Sequence, residues 1–243
     1  MNAFINVVKW PVILCLALLA WFAARELESA AVGLRFQSPL IQRVMGGVGI
    51  YAVLYLIFLR KSVTAATVRT LEHEAAHLLA SIVTFNGVKA IEARDNGEGR
   101  ILLAGSGNWI VSAAPYVLPI PLFVPALVLR AASARDVWPW VLLGFSLGFY
   151  MHSTWVETHH RQPDLKEIGM VSSWILLPAC HILVATWVCG LLLGNQGHLY
   201  AATRLTTQQI ASVALHPSRS AEKAMTALRQ IPSAGLRLWA SWS

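Results

Sequence analysis

The length, composition and charge of the chain exclude an ordinary soluble domain. It has 243 residues, of which 56% are hydrophobic and only 13% are charged, and its mean hydropathy is +0.56. Soluble domains carry about 25% charged residues. The net charge of +7 lies in short segments beside apolar stretches. This is typical of cytoplasmic flanks in contact with anionic lipid, and it argues against nucleic acid as a partner.

Five long stretches without any Asp, Glu, Lys or Arg predict a polytopic membrane protein, since a spanning helix needs about 20 mostly apolar residues. The first stretch follows Lys9 and also resembles a signal peptide, but the spans after it favour an uncleaved first helix. A small excess of Lys and Arg predicts that both termini are cytoplasmic. The five stretches are Trp10–Ala24, Val44–Leu59, Ile101–Leu129, Val137–Val156 and Ile168–Thr203.

The apolar and turn patterns predict an all-α membrane fold of about six transmembrane helices with one β-hairpin. The hairpin follows the third helix, because Asp95-Asn96-Gly97 is a turn signal between two apolar segments. It is either a plain connection or an edge that can bind an extended peptide. The expected elements are helices at 8–26, 41–60 and 63–85, the hairpin at 87–105, helices at 108–130 and 136–155, a loop at 156–168 and a helix at 169–194.

The chain is expected to consist of a transmembrane domain, residues 1–194, and a basic, partly amphipathic tail, residues 195–243. The tail forms either an amphipathic helix on the membrane surface or a solvated extension. The cysteines lie inside apolar stretches and lack the spacing of a metal site, so we expect buried apolar residues and not disulfides. They are Cys15, Cys180 and Cys189.

The third predicted helix carries the motif His73-Glu74-Ala75-Ala76-His77. Residues i and i+4 share one helix face, so both imidazoles can bind a single zinc ion. Glu74 lies at the edge of that face, from where it can take a proton from a zinc-bound water. Ionisable groups deep in a membrane cost at least about 2.5 kcal/mol each, so they are seldom without function. Buried histidines that only hydrogen-bond to neighbours are the alternative.

A catalytic zinc site needs three protein ligands and one open position, so the third ligand must come from another segment. We expect Asp164, which follows Pro163 and opens a helix, where free backbone N–H groups can hold a carboxylate. A simple helix cap is the other interpretation of this residue. His152 is the alternative, as a ligand or as a partner of a ligand, and Asp136 is the next candidate.

Together these motifs resemble the site-2 protease family of intramembrane zinc metallopeptidases, in particular its compact bacterial branch without a PDZ domain. The resemblance covers about residues 70–169. It rests on the HEAAH helix, the hairpin, the segment GSGNWIVSAAPYVLP and the QPDL before the last helix. It implies His73, His77 and an aspartate as zinc ligands and Glu74 as the general base. Residues 1–194 would then be a metallopeptidase-like domain.

The resemblance also implies a multi-pass protein of the bacterial inner membrane, with Zn²⁺ as cofactor and membrane lipid and a transmembrane protein substrate as partners. It would hydrolyse peptide bonds of membrane-embedded proteins. Asn108 would bind the scissile carbonyl, or it is only a turn residue. Water would reach the site past His152 and the loop 156–164. The alternative is a non-proteolytic membrane assembly or sensor subunit that keeps the metal site, and such a site would not need Glu74.

Overall fold

The computed structural model describes residues 2–33, 39–93, 99–103, 107–132, 136–159 and 162–192, most of which are helical. The predicted turn at Asp95-Asn96-Gly97 and the predicted tail, 195–243, lie outside the described residues. A π-helical turn, Tyr55–Leu59, continues the third helix. The elements are α1 (Asn2–Val7), α2 (Lys9–Gly33), α3 (Pro39–Leu54), α4 (Val63–Val83), β1 (Val88–Ala93), β2 (Gly99–Leu103), α5 (Trp109–Val117), α6 (Ile120–Ala131), α7 (Trp138–Glu157), α8 (Pro163–Ile168) and α9 (Met170–Leu192).

Two predicted elements differ from the observed ones. The expected helix 108–130 is two helices, α5 and α6, which meet at a bend of 60°. Pro119 lies at this bend and has no N–H with which to continue the helical ladder. The expected loop 156–168 contains α8, which starts at Pro163. It ends at Gly169, whose φ of +91° lies in the left-handed region that glycine adopts at little cost.

The two strands β1 and β2 pair in antiparallel orientation beside α4. Ile91 lies opposite Ile101, and the register shifts by one residue between Val88 and Ala90. Such a shift is typical of a β-bulge, which bends a strand and increases its twist. The segment 94–98 between the strands is not among the described residues.

Two described helices are long and apolar enough to cross a membrane, namely Pro39–Leu59 and Met170–Leu192, and the bent pair α5–α6 makes a third if it is one span. Length and composition therefore support two or three spans, fewer than the six expected. Helix α4 is long enough but carries three charged residues. Phe58, Trp155 and Trp174 are more than 60% exposed. Large apolar side chains on the outside are consistent with a membrane protein.

Helices α3 and α7 approach each other closely because glycines lie at their contact. A Cβ at Gly47 would collide with the carbonyl group of Val141, and one at Gly144 would collide with that of Val44. Small residues are common where membrane helices pack, because in lipid no hydrophobic effect drives helices together and their association depends on close van der Waals contact. The contact fixes the position of α7, which ends at Glu157 beside the candidate site.

A buried apolar cluster fixes α8 between three longer helices. Leu165 and Ile168 of α8 pack with Ile13 of α2, Tyr116 of α5 and Leu176 of α9, and all five are at most 4% exposed. The Lys9 Nζ also donates a hydrogen bond to the Ile168 carbonyl oxygen at 2.9 Å. This bond satisfies one of the carbonyl groups that the end of a helix leaves without an internal partner. The short helix is thus held against the bundle.

Candidate metal centre

His73 and His77 lie one turn apart on α4 and face the interior of the bundle. Their side chains are 12% and 13% exposed, and their ring centroids are 4.9 Å apart. The helix face beside them carries the buried small residues Ala76 and Ala80, which pack against α5. The i, i+4 spacing therefore directs both imidazoles toward the same side, as expected for residues on one helix face.

The structure brings His73, His77 and Asp164 together, with one potential ligand atom of each within 4.8 Å of the others. The Asp164 Oδ2 lies 3.5 Å from His73 Nε2 and 3.4 Å from His77 Nε2. Both separations are longer than an ordinary hydrogen bond. Two ligand atoms that each lie about 2.1 Å from a tetrahedral zinc ion are separated by about 3.4 Å. The group could therefore hold a metal ion, and its donor types suit zinc.

The second nitrogen of His77 is held by the backbone of α5. The His77 Nδ1 lies 2.8 Å from the Val111 carbonyl oxygen. A carbonyl oxygen only accepts, so Nδ1 donates a proton to it, and Nε2 is the nitrogen left to bind a metal ion. A histidine that binds a metal usually donates its other N–H in this way, which fixes its tautomer and ring orientation. The structure thus presents His77 as a ready ligand.

Asn108 caps the amino end of α5 and so sets the position of Val111. Its Oδ1 accepts hydrogen bonds from the N–H groups of Ile110 and Val111, both at 3.1 Å. Its Nδ2 donates to Thr84 Oγ1 at 3.2 Å, and the residue is 1% exposed. These contacts favour the turn interpretation of Asn108 over a role in binding a scissile carbonyl. An Asn at this position is a preferred helix cap.

Asp164 is oriented by Tyr116, which is fully buried. The Tyr116 hydroxyl donates to Asp164 Oδ2 at 3.3 Å. Burial by itself would raise the pKa of the Asp164 carboxyl, but the adjacent imidazoles of His73 and His77 outweigh burial and hold that pKa below its usual range. The ionised carboxylate is the form that binds a metal. Sequence patterns gave no sign of Tyr116, which only the fold brings to the site.

The two glutamates of α4 have different surroundings. Ser153 of α7 donates to Glu72 Oε2 at 3.0 Å, so Glu72 is used to join α4 to α7. Glu74 is half-buried. Within the described residues, no hydrogen bond or ion pair holds its carboxylate, which is therefore available to a water molecule. Because they are so close in sequence, the two residues make a matched pair for experiments.

The two other candidates for the third ligand lie apart from this group. His152 Nδ1 is 2.8 Å from the Tyr51 hydroxyl, and its ring centroid is 4.0 Å from that of Tyr55, so His152 contacts α3. Asp136 precedes α7, where Arg43 donates to its backbone carbonyl at 3.5 Å. A helix the length of α7 spans about 30 Å. That length separates Asp136 from the end of α7 that contacts α4.

We therefore expect His152→Ala to leave the zinc affinity unchanged, whereas a role as a ligand or as a partner of a ligand would lower that affinity. The substitution removes a contact between α7 and α3 but no contact to the three clustered side chains. The measurement is competition with a chromogenic chelator in detergent, with His77→Ala as the positive control. A clear fall in affinity for His152→Ala would mean that the imidazole assists the metal site.

An apolar cavity of about 670 Å³ lies next to α8, between α7 and α9. Leu165, which follows Asp164 in the chain, contributes to its wall, as do Trp155 of α7 and Trp174 of α9. Cavities of about 300–1,000 Å³ are the usual size of ligand sites. The bundle therefore has an apolar space on the same short helix that carries the candidate ligand.

Compared with models of known protein families, with curated proteins and with solved structures, the chain matches none of them.

Proposed function

We propose that this protein is a zinc-dependent intramembrane endopeptidase of the site-2 protease type and a multi-pass protein of the bacterial inner membrane. The observation that carries the proposal is the group of His73, His77 and Asp164. The two distances from Asp164 Oδ2 to the histidine nitrogens suit a tetrahedral metal, and Glu74, whose carboxylate has no hydrogen bond to any described residue, directly follows His73. This constellation lies among helices whose outer surface is apolar.

The chain supplies a base and a fixed ligand set for peptide hydrolysis. When bound, zinc lowers the pKa of a water molecule and polarises the scissile carbonyl group. The Glu74 carboxylate accepts a proton from the attacking water and returns it to the departing amine. Hydrogen bonds from His77 to Val111 and from Tyr116 to Asp164 keep the ligands in place while this happens.

The substrate in this proposal is an apolar segment of another membrane protein. The cavity between α7 and α9 has a mostly apolar wall, which includes Leu165, the residue after Asp164 in the chain. Apolar side chains of a membrane-embedded peptide suit such a space, because they carry no polar group that would be buried there without a partner. The backbone of the peptide must be unwound locally, since a helical carbonyl group is already hydrogen-bonded.

The metal content of the purified protein tests the proposal. Full-length protein, prepared in detergent without chelators, should hold about one zinc per chain, and His73→Ala should lose it, because two of the three ligands lie on α4. Elemental analysis against protein concentration gives the ratio. Metal-free wild-type protein in this preparation would contradict the proposed function.

A further inference from the structure

Glu157, the last residue of α7, contacts both the segment just before Asp164 and helix α4. Gln162 stands at the amino-terminal cap position of α8, but its side chain makes no cap hydrogen bond. Instead, its Nε2 donates to Glu157 Oε2, the last residue of α7, at 2.9 Å. This bond fixes the chain two residues before the candidate ligand, and the residue between them, Pro163, has a fixed φ angle.

The second oxygen of Glu157 contacts the helix that carries both histidines. Arg69 Nε donates to Glu157 Oε1 at 3.1 Å, and the two side chains are 25% and 22% exposed. Arg69 precedes His73 by four residues, so it lies on the same face of α4 as the candidate ligands. One carboxylate therefore connects the histidine face of α4 to the segment that carries Asp164.

We propose that Glu157 is a positioning residue that sets the distance between Asp164 and the two histidines, and hence the metal affinity. This inference rests on the proposed function. The clamp, which we define as Arg69, Glu157 and Gln162, uses both carboxylate oxygens, so it needs an acceptor at each of them. An ion pair that is partly shielded from solvent and also hydrogen-bonded holds its geometry better than an exposed pair.

The shape of the clamp predicts a graded response. Glu157→Ala removes both contacts, and we expect the zinc affinity to fall by about 10- to 100-fold, as for other residues that support metal ligands. Glu157→Gln keeps the size and one acceptor oxygen, so it should lose less zinc affinity than Glu157→Ala. It should still lose some, because its NH₂ group faces a donor. At saturating zinc each variant should still bind one equivalent, because all three ligands remain.

The experiment is chelator competition on the full-length protein, with thermal unfolding of the metal-free forms measured in parallel. The visible spectrum of cobalt-loaded protein reports ligand geometry and should change in Glu157→Ala. Tyr51→Phe is the matched control, because it removes a 2.8 Å contact between α3 and His152 of α7 that does not involve α8. It should keep both the affinity and the cobalt spectrum of the wild type.

Two results would overturn the role of Glu157. One is that the wild type binds zinc and Glu157→Ala has the same zinc affinity and the same cobalt spectrum. The other is an equal loss of affinity in Tyr51→Phe, which would show that any loosening of α7 weakens the site. Wild-type protein that binds no zinc would instead contradict the proposed function itself, so the two failures are distinguishable.

Discussion

Glu74→Gln should keep its zinc and lose peptide cleavage by about 10²- to 10⁴-fold, the usual contribution of a general base. The amide has nearly the same size and shape as the carboxylate, so the helix and the ligands on it should not move. It cannot accept a proton from the attacking water. The measurement combines the zinc content with the cleavage rate of a membrane-embedded model substrate, both in the same detergent preparation.

Glu72→Gln is the matched control for this substitution. Glu72 lies two residues earlier on α4 and accepts the Ser153 hydroxyl. Since an amide oxygen can still accept this hydrogen bond, cleavage should continue. Wild-type cleavage in Glu74→Gln would show that Glu74 is not the base. A wild-type protein that binds zinc and cleaves no membrane protein would favour the assembly or sensor subunit.

The histidine face of the site could be predicted from the sequence because it depends only on local geometry. His73 and His77 are four residues apart in a helical pattern, and the helix period then places them on one face. Asp164 could be proposed because Pro163 restricts the chain before it and favours a helix start. The structure does bring all three side chains together. These inferences needed no knowledge of how the helices pack.

The rotation of α7 could not be predicted from the sequence. Ser153 points toward Glu72 of α4, whereas the preceding residue, His152, contacts Tyr51 of α3. Adjacent residues of a helix point in directions about 100° apart, so a rotation of that size would exchange their roles. The close approach of α3 at Gly144 decides the rotation. That contact is a long-range packing event that leaves no local pattern.

The position of α8 against α5 also could not be predicted from the sequence. If every predicted span crossed the membrane fully, Asp164 would emerge on the face opposite the start of α4. In the structure, Glu157 of α7 instead meets Arg69 near the start of α4, and α8 turns back against α5. The partners that hold α8 there, among them Tyr116, lie far away in the chain. Their contacts depend on tertiary packing, which overrides local preference.

Asp164→Ala should lower the zinc affinity by more than about 100-fold, the upper limit typical of residues that only support a ligand. The carboxylate oxygen that faces both histidines is removed, and two imidazoles alone do not complete a three-ligand site. Asp136→Ala should leave the affinity at the wild-type level, because that residue precedes the opposite end of α7. Zinc affinity and stoichiometry in one preparation give the comparison.

Asp164→Asn separates a metal ligand from a helix cap. Asp164 lies in the first turn of α8, two residues after the cap residue Gln162, where the loss of a negative charge costs only about 0.3–1 kcal/mol, so a residue that served only the helix start would tolerate the change. A ligand would not, since the neutral amide binds zinc far more weakly than a carboxylate. We therefore expect Asp164→Asn to lose zinc nearly as completely as Asp164→Ala, while its metal-free form unfolds at the wild-type temperature. Full zinc occupancy in Asp164→Asn, together with an empty site in Asp136→Ala, would mean that the segment before α7 completes the metal site and that α8 does not.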